Sequence, residues 1–424
     1  MIRKLLKKAN KNKQLVKSGA YILFGTSVLN LLNYIFHIYA GRTLGPSEYG
    51  VFFSFLSMLY IVGVPSSTIQ MSLTNFIARF SATKDTGKIK FLLVVAFKKL
   101  TLYALIGIGL ILLLQKFIAG FLKIEQTSLF FIFALSILGA FLLPVSRAGL
   151  QGLQKFKSLG LNYSFEGIIK LGFVAILFSI GLKVAGALWA LFLSTFIPIF
   201  LAYPSLKKIL KAKPKKLETK EVYMYSLPVF LVMLGTNFMF NIDILLVKHF
   251  FSATEAGYYA ALSLLGKIIF FGGIAASLIM FPKVSELHAK KKPHREPLNL
   301  SMKIVLLFGS LVTLIYFIFP EIVINMLFGS QYLEIKNLLG LFGIFMTLFS
   351  IAYLLFLYNL SIKQVHFIPF LYAANLLEIL LIWIFHETLL QIVLSLIATI
   401  FILLILLFIV KEKDNENLVF NPDV

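Results

Sequence analysis

The sequence predicts an all-α polytopic membrane protein with twelve transmembrane helices in two six-helix lobes, related by a pseudo-two-fold along the membrane normal. Three observations predict it. The 424 residues are 59% hydrophobic with a mean hydropathy of +0.91, far from the balance of a soluble globule. Apolar runs long enough to span a bilayer, each about 20 residues, occur twelve times. The Lys and Arg residues alternate between dense and sparse loops in step with those runs.

In order, the runs are Ser18 to Tyr39, Val51 to Phe80, Phe91 to Leu114, Thr127 to Leu150, Leu159 to Ile180 and Ala185 to Leu206. The second six are Tyr225 to Phe250, Gly257 to Pro282, Leu298 to Phe319, Ile335 to Leu360, His366 to Phe385 and Leu389 to Val410. Residues 1–17 form a basic segment in which Ile2, Leu5, Leu6 and Ala9 share an apolar face, expected to lie on the inner leaflet. The first run is too long for a signal peptide and lacks a small-residue cleavage site. Residues 18–206 make the N-lobe, 207–221 a Lys-rich linker, 222–410 the C-lobe and 411–424 a tail.

With both termini inside, 32 of the 40 Lys and Arg residues fall in inner loops or at the inner ends of spans, 6 on the outer side, and Lys170 and Lys267 deep within spans. Basic residues accumulate on the cytoplasmic side, so the orientation follows, and a cell membrane is the expected location. The net charge of +22 is therefore topology and attraction to anionic membrane lipid, and no nucleic-acid partner is implied. Without cysteine there is no thiol chemistry. The loops are too short for a soluble catalytic domain, so no catalytic residue is assigned and an enzyme is not expected. Lys98, Lys99 and Lys248 are read as snorkelling to the interface.

The halves resemble one another. Gly25-Thr26 recurs as Gly235-Thr236, Asn33 lies opposite Asp243, and Pro46-Ser47-Glu48-Tyr49-Gly50 lies opposite Ala253-Thr254-Glu255-Ala256-Gly257. Six spans per copy give both copies one orientation, as in transporters built from parallel repeats, with the cleft between lobes as the expected passage.

Gly41-Arg42-Thr43-Leu44-Gly45-Pro46-Ser47-Glu48-Tyr49-Gly50 resembles the turn after the first span of polysaccharide-biosynthesis flippases. These belong to the multidrug/oligosaccharidyl-lipid/polysaccharide exporter superfamily. Leu150-Gln151-Gly152-Leu153-Gln154, Ala256-Gly257-Tyr258-Tyr259-Ala260 and Leu327-Phe328-Gly329-Ser330-Gln331-Tyr332 agree with it in order and spacing. The resemblance implies alternating access and transfer of a polyprenyl-(pyro)phosphate-linked saccharide, by a chain functional as a monomer. A cation-coupled multidrug exporter of the same superfamily and a non-transporting assembly scaffold are the alternatives.

Ionisable groups inside spans are costly and point to function. Thr26, Asn30, Asn33 and His37 fall at helical spacing on the first span, as a face lining the cleft or as contacts between helices. Asn162, Glu166 and Lys170 step by four along the fifth span, either in mutual neutralisation or with Lys170 free for phosphate. Lys267 has no acid one turn away and needs a partner from elsewhere; with Lys170 it is the expected phosphate contact, and Arg79 and Arg147 are candidates for first capture. In the C-lobe, Asp243, Asn375, Glu378 and Thr399 supply oxygens suited to a hard cation. They are similar to the sodium site of lipid II flippases, except that Glu378 replaces an Asp and stands three residues after Asn375 instead of four. A bound sodium ion is thus the one cofactor the resemblance implies, with proton coupling through Glu378 as its rival. Pro65, Pro144, Pro198, Pro228 and Pro369 are expected to bend spans.

Overall fold

A computed structural model of the chain describes residues 20–217, 227–277 and 279–409. The expected interfacial segment Ile2–Val16, the end of the linker and the tail lie outside the described residues. Every described element is helical. In hydrocarbon a backbone must satisfy its own hydrogen bonds, and helices do so within one segment.

Helix α1 runs Ala20–Val62 and is bent at Gly45, whose φ of 72° and ψ of 171° no residue with a Cβ adopts readily. Pro46 then opens the next stretch, where a missing N–H costs nothing. The Gly41–Gly50 motif, read from sequence as a turn, is therefore a sharp helix-to-helix bend. After a second break at Gly63, α2 (Val64–Ala82) completes the second crossing. α3 (Thr86–Phe121), α4 (Leu129–Gly152), α5 (Phe156–Ser179) and α6 (Lys183–Leu210) follow. Asp85 caps α3 by accepting a hydrogen bond from the Lys88 amide at 3.2 Å. That bond, helped by nearby Lys215, holds its carboxyl below the ordinary carboxylate range.

Leu227–Phe250 is the seventh crossing, broken at Phe240 and Asn241 into α7 (described over 227–239) and α8 (Ile242–Phe250). α9 (Ala253–Ala289) starts with a capping box in which Ser252 and Glu255 bond each other's backbone N–H, two orphan donors satisfied at once. α10 (Arg295–Ile318), the short α11 (Pro320–Leu327), α12 (Lys336–Ser361), α13 (Ile368–Ile384) and α14 (Leu389–Ile409) complete the second half. Ten of the described helices are long and apolar enough to cross a membrane; with the bent α1 and its continuation α2 counted as two and the shorter α13 included, they match the twelve apolar runs.

Two compact units emerge. One comprises Met1–Leu44 and Met58–Phe230, the other Gly45–Ser57 and Leu231–Val424. This differs from the boundary drawn through the linker: the first part of the second crossing packs with the C-terminal half. Tyr49, Phe52, Phe53 and Phe55 are buried there, with Tyr49 5.8 Å from Phe328 and edge-on to Tyr332 at 6.4 Å. The described start of the linker is also docked, since the Lys215 amide donates to Gly87 O at 3.1 Å.

In unit 1, α4 is the central helix and packs against α6, α2 and α3; in unit 2, α12 and α9 hold that place. Close crossings are made at small residues, as lipid-embedded helices require. A Cβ on Gly25 would lie 2.4 Å from Gly160 O, and one on Gly160 would lie 2.3 Å from Tyr21 O. In unit 2 a Cβ on Gly50 would lie 2.7 Å from Ala253 O, and one on Gly257 would lie 1.7 Å from Pro46 O. Because Pro46 and Ala253 are repeat counterparts, as are Gly50 and Gly257, this contact is reciprocal.

Gly257→Ala is expected to lower stability by about 1–3 kcal/mol, the range for forcing a methyl into a packed site. Gly109→Ala, where a Cβ meets nothing within 4 Å, should be neutral or slightly stabilising. Thermal melting of both variants in one detergent checks this, and equal melting would contradict the crossing.

Candidate functional site

In unit 1 the buried α4 carries Arg147, and α5 faces it with Asn162, Glu166 and Lys170. The Gly25–Gly160 crossing sets the register of α1 against α5, so that about two turns further along Asn33 meets Lys170. Arg147 Nη2 donates to Glu166 Oε2 at 2.5 Å and Nε donates to Asn162 Oδ1 at 2.9 Å. Asn162 Nδ2 in turn donates to Pro198 O at 2.7 Å. Lys170 Nζ donates to Asn33 Oδ1 at 2.7 Å and stands 3.8 Å from Glu166 Oε1. The Arg147 guanidinium lies 4.1 Å from the Tyr163 ring centre and the Lys170 ammonium 5.7 Å from that of Phe36, within the range of cation–π attraction.

Glu166 thus serves two cations, and the group carries a surplus positive charge. The i,i+4 spacing pointed to Lys170 as its partner, but Arg147, from another helix, makes the shorter and better-aligned bond. Arg147 is buried and paired. Of its five N–H donors, Asn162 and Glu166 engage two.

The other residues expected here separate. Arg79 is exposed at the end of α2 with its guanidinium 5.5 Å from the Phe76 ring centre. Asn30 is exposed, His37 is buried beside Phe36, and Thr26 donates to Ile22 O on its own helix. From the first span, Asn33 is the residue that joins the cluster.

Unit 2 buries a different set. Tyr259 donates to Asp243 Oδ2 at 2.6 Å. Asn375 Nδ2 donates to Gly235 O and Leu371 O at 3.1 and 3.0 Å, which turns its oxygen away from the backbone. Asp243 Oδ1, Asn375 Oδ1 and both oxygens of Glu378 are buried with no hydrogen-bond partner among the described residues. Asp243 is near enough to Glu378 for its charge to act there. Thr399 is buried and donates to Ser395 O at 2.9 Å; no hydrogen bond joins it to the acids, although α14 packs against α8 and α13. Among the described residues no three His, Cys, Asp or Glu side chains converge on a common point.

Lys267 finds its partners on other elements, as its spacing required. Nζ is 3.5 Å from Asn241 Oδ1 and lies 4.4 and 5.4 Å from the ring centres of Phe240 and Phe53. Its charge acts on Asp243 without an ion pair forming. Tyr259, Asn241, Phe240 and Phe53 were not singled out in the sequence. Tyr259 could have been, because it stands in the Ala256–Ala260 motif and a buried phenol needs an acceptor. Lys248, read as snorkelling, is buried at 1% exposure.

The sequence pattern of the polysaccharide biosynthesis protein family matches residues 40–337, and the chain belongs to that family. An uncharacterized membrane protein of Methanocaldococcus jannaschii is 24% identical over 295 residues, 64% of this chain and 68% of that one. The fold is similar to that of a multidrug resistance MATE family transporter in an inward-facing conformation, with a TM-score of 0.73 and 13% identity over 92% of this chain and 97% of that one. It is also similar to the lipid II flippase MurJ in an inward closed conformation, with a TM-score of 0.72 and 17% identity over 92% and 87%. The chain is thus a multi-pass membrane protein whose fold is similar to that of these two proteins.

Removing a single partner from a buried ion pair is costly, about 3–5 kcal/mol. Glu166→Gln is therefore expected to lower the melting temperature sharply, because it strands Arg147 and Lys170. The triple change Arg147→Gln, Glu166→Gln, Lys170→Gln leaves no buried charge and should recover most of the loss. A triple variant as unstable as the single one would contradict this account.

Proposed function

We propose that this member of the polysaccharide biosynthesis family moves a polyprenyl-(pyro)phosphate-linked saccharide from the inner to the outer leaflet of the cell membrane by alternating access, with both termini inside. The observation that carries the reading is the surplus buried cation of unit 1. A diphosphate brings at least two negative charges, and a low-dielectric region excludes it unless cations replace its water. Arg147 and Lys170 are held in place before any substrate arrives, so little ordering is required on binding. Glu166 and the two asparagines hold them oriented, and one carboxylate cannot neutralise both. Arg79, exposed at a helix end, suits initial capture of the headgroup.

The same charge count argues against an exporter of organic cations, which a positive site repels. It also shifts weight from Lys267 to Lys170 and Arg147. Lys267 stands beside Asn241 and within reach of the charge of Asp243, and is better placed to balance that acid than to receive phosphate.

The charge-free triple variant decides the matter. Surface delivery of the saccharide would be measured in cells lacking other flippases and normalised to folded protein. Delivery should fall at least about tenfold, the effect of about 1.4 kcal/mol on the transfer step. Normal delivery by a folded triple variant would make the cluster structural and end the proposal.

Cation coupling is the second part of the reading. Asp243, Asn375 and Glu378 would hold a sodium ion, supported by their four unpartnered buried oxygens, with the Thr399 hydroxyl as a further ligand. Bound sodium would offset the repulsion between the two carboxylates. It should then raise the melting temperature of the purified protein by mass action, whereas potassium at the same ionic strength should not. Asp243→Asn and Glu378→Gln should each remove the shift. A sodium response that survives both substitutions would exclude the site.

A further inference from the structure

α2 is polar where a lipid-facing helix is apolar. Among its exposed and half-exposed positions are Ser67, Gln70, Thr74, Asn75 and Arg79. Its neighbour α3 instead exposes Leu102, Leu105, Ile106, Leu110, Leu113 and Phe117, the face expected against lipid. α2 does not reach the hydropathy of the helices apolar enough to cross a membrane alone. Polar side chains at membrane depth face protein or a water-filled cavity.

Such a cavity is present within unit 1. It has a volume of about 270 Å³ and is lined by Ser67, Gln70, Met71, Thr74 and Gln151. Ligand sites run from about 300 to 1,000 Å³, so this one suits a single small ring rather than a drug-sized molecule. The lining holds two amides, two hydroxyls, one thioether and no charge. Ser67 and Thr74 donate to Gly63 O and Gln70 O of their own helix, which leaves their oxygens free to accept. The side-chain amides of Gln70 and Gln151 make no hydrogen bond to a described residue. A wall of this kind offers donors and acceptors in mixed order, with Met71 as an apolar contact. That matches the hydroxyl and acetamido groups of a sugar, and the lining carries no charged group to pair with an ion.

Gln151 stands four residues after Arg147 on α4, one turn further on the same side of the helix. It lies toward the end that the basic loop at Lys155 and Lys157 assigns to the inside. We propose that this cavity receives the sugar ring proximal to the diphosphate, while the phosphates meet Arg147 and Lys170. The inference rests on the flippase reading above and adds the subsite by which the protein distinguishes a loaded carrier lipid from an empty one.

The test uses the purified full-length protein in lipid nanodiscs with two probes, undecaprenyl diphosphate and undecaprenyl diphosphate bearing one N-acetylglucosamine. The protein should bind the sugar-bearing lipid about tenfold more tightly, the equivalent of one or two ordinary hydrogen bonds. In the Gln70→Leu, Gln151→Leu double variant that ratio should fall to about one. Thr74→Phe, which fills the cavity instead of removing its hydrogen-bonding groups, should give the same loss, and melting of each variant certifies its fold. Equal binding of the two lipids by the unmodified protein, or a preference that survives in either folded variant, would overturn the saccharide subsite alone. Failure of the unmodified protein to bind either lipid would overturn both the subsite and the reading on which it rests.

Discussion

A carboxylate in the hydrocarbon region of a bilayer has no water to solvate it, and the interior of unit 1 is arranged around one such group. Glu166 is tolerable because α4 brings Arg147 to 2.5 Å and α5 brings Lys170 to 3.8 Å. Those positions depend in turn on neighbouring helices. Asn162 fixes the guanidinium and is itself fixed by the Pro198 carbonyl of α6, while Asn33 of α1 holds the ammonium. Four helices therefore meet at one acid, and the cost of leaving any member unpaired locks them into a single register. The same requirement leaves a surplus of basic side chains in the interior, the feature on which the proposed function rests.

Unit 2 solves the problem differently with a related helix. The fifth span carries Asn162 and Glu166, and the eleventh, its repeat counterpart, carries Asn375 and Glu378. Gly25 packs on the fifth span, and its counterpart Gly235 packs on the eleventh, where Asn375 bonds its carbonyl. In unit 1 tethered cations saturate the acid. In unit 2 both oxygens of Glu378 lack a donor among the described residues, and Lys267 remains outside ion-pair distance of Asp243. One scaffold thus yields an interior with surplus positive charge in the first unit and, with both acids ionised, surplus negative charge in the second.

The twelve crossings were legible because apolar run length and basic-loop alternation are local properties of the chain. Part of each site was legible too. Lys267 has no acid at helical spacing, so a partner from another element was required, and Asn375 with Glu378 stood out as polar groups in an apolar run. The Arg147–Glu166 bond was not legible, since Lys170 at i+4 satisfied every rule that spacing can supply and the better partner lies across a helix interface. Nor could the aromatic surroundings of Lys267 be read, because Phe53, Phe240 and Lys267 come from three separate spans. The polarity of α2 was present in the sequence, yet only its exposure beside the apolar face of α3 separates a cavity wall from an ordinary helix contact.

The placement of Gly45–Ser57 with unit 2 bears on how the protein is made. This stretch leaves the ribosome early, but the residues that enclose it, Ala253 to Ala256 and then Phe328 and Tyr332, are some 200 to 280 positions further along. At about 5–20 residues per second the second crossing remains incompletely packed for roughly ten seconds to a minute after it enters the membrane. Its phenylalanines can wait in lipid without penalty, because hydrocarbon is as apolar as their final surroundings. Truncated chains ending before Ala253 would contain every residue of the N-terminal half and still leave the early part of its second crossing without its final neighbours, so the first half of the gene does not encode a self-sufficient folding unit.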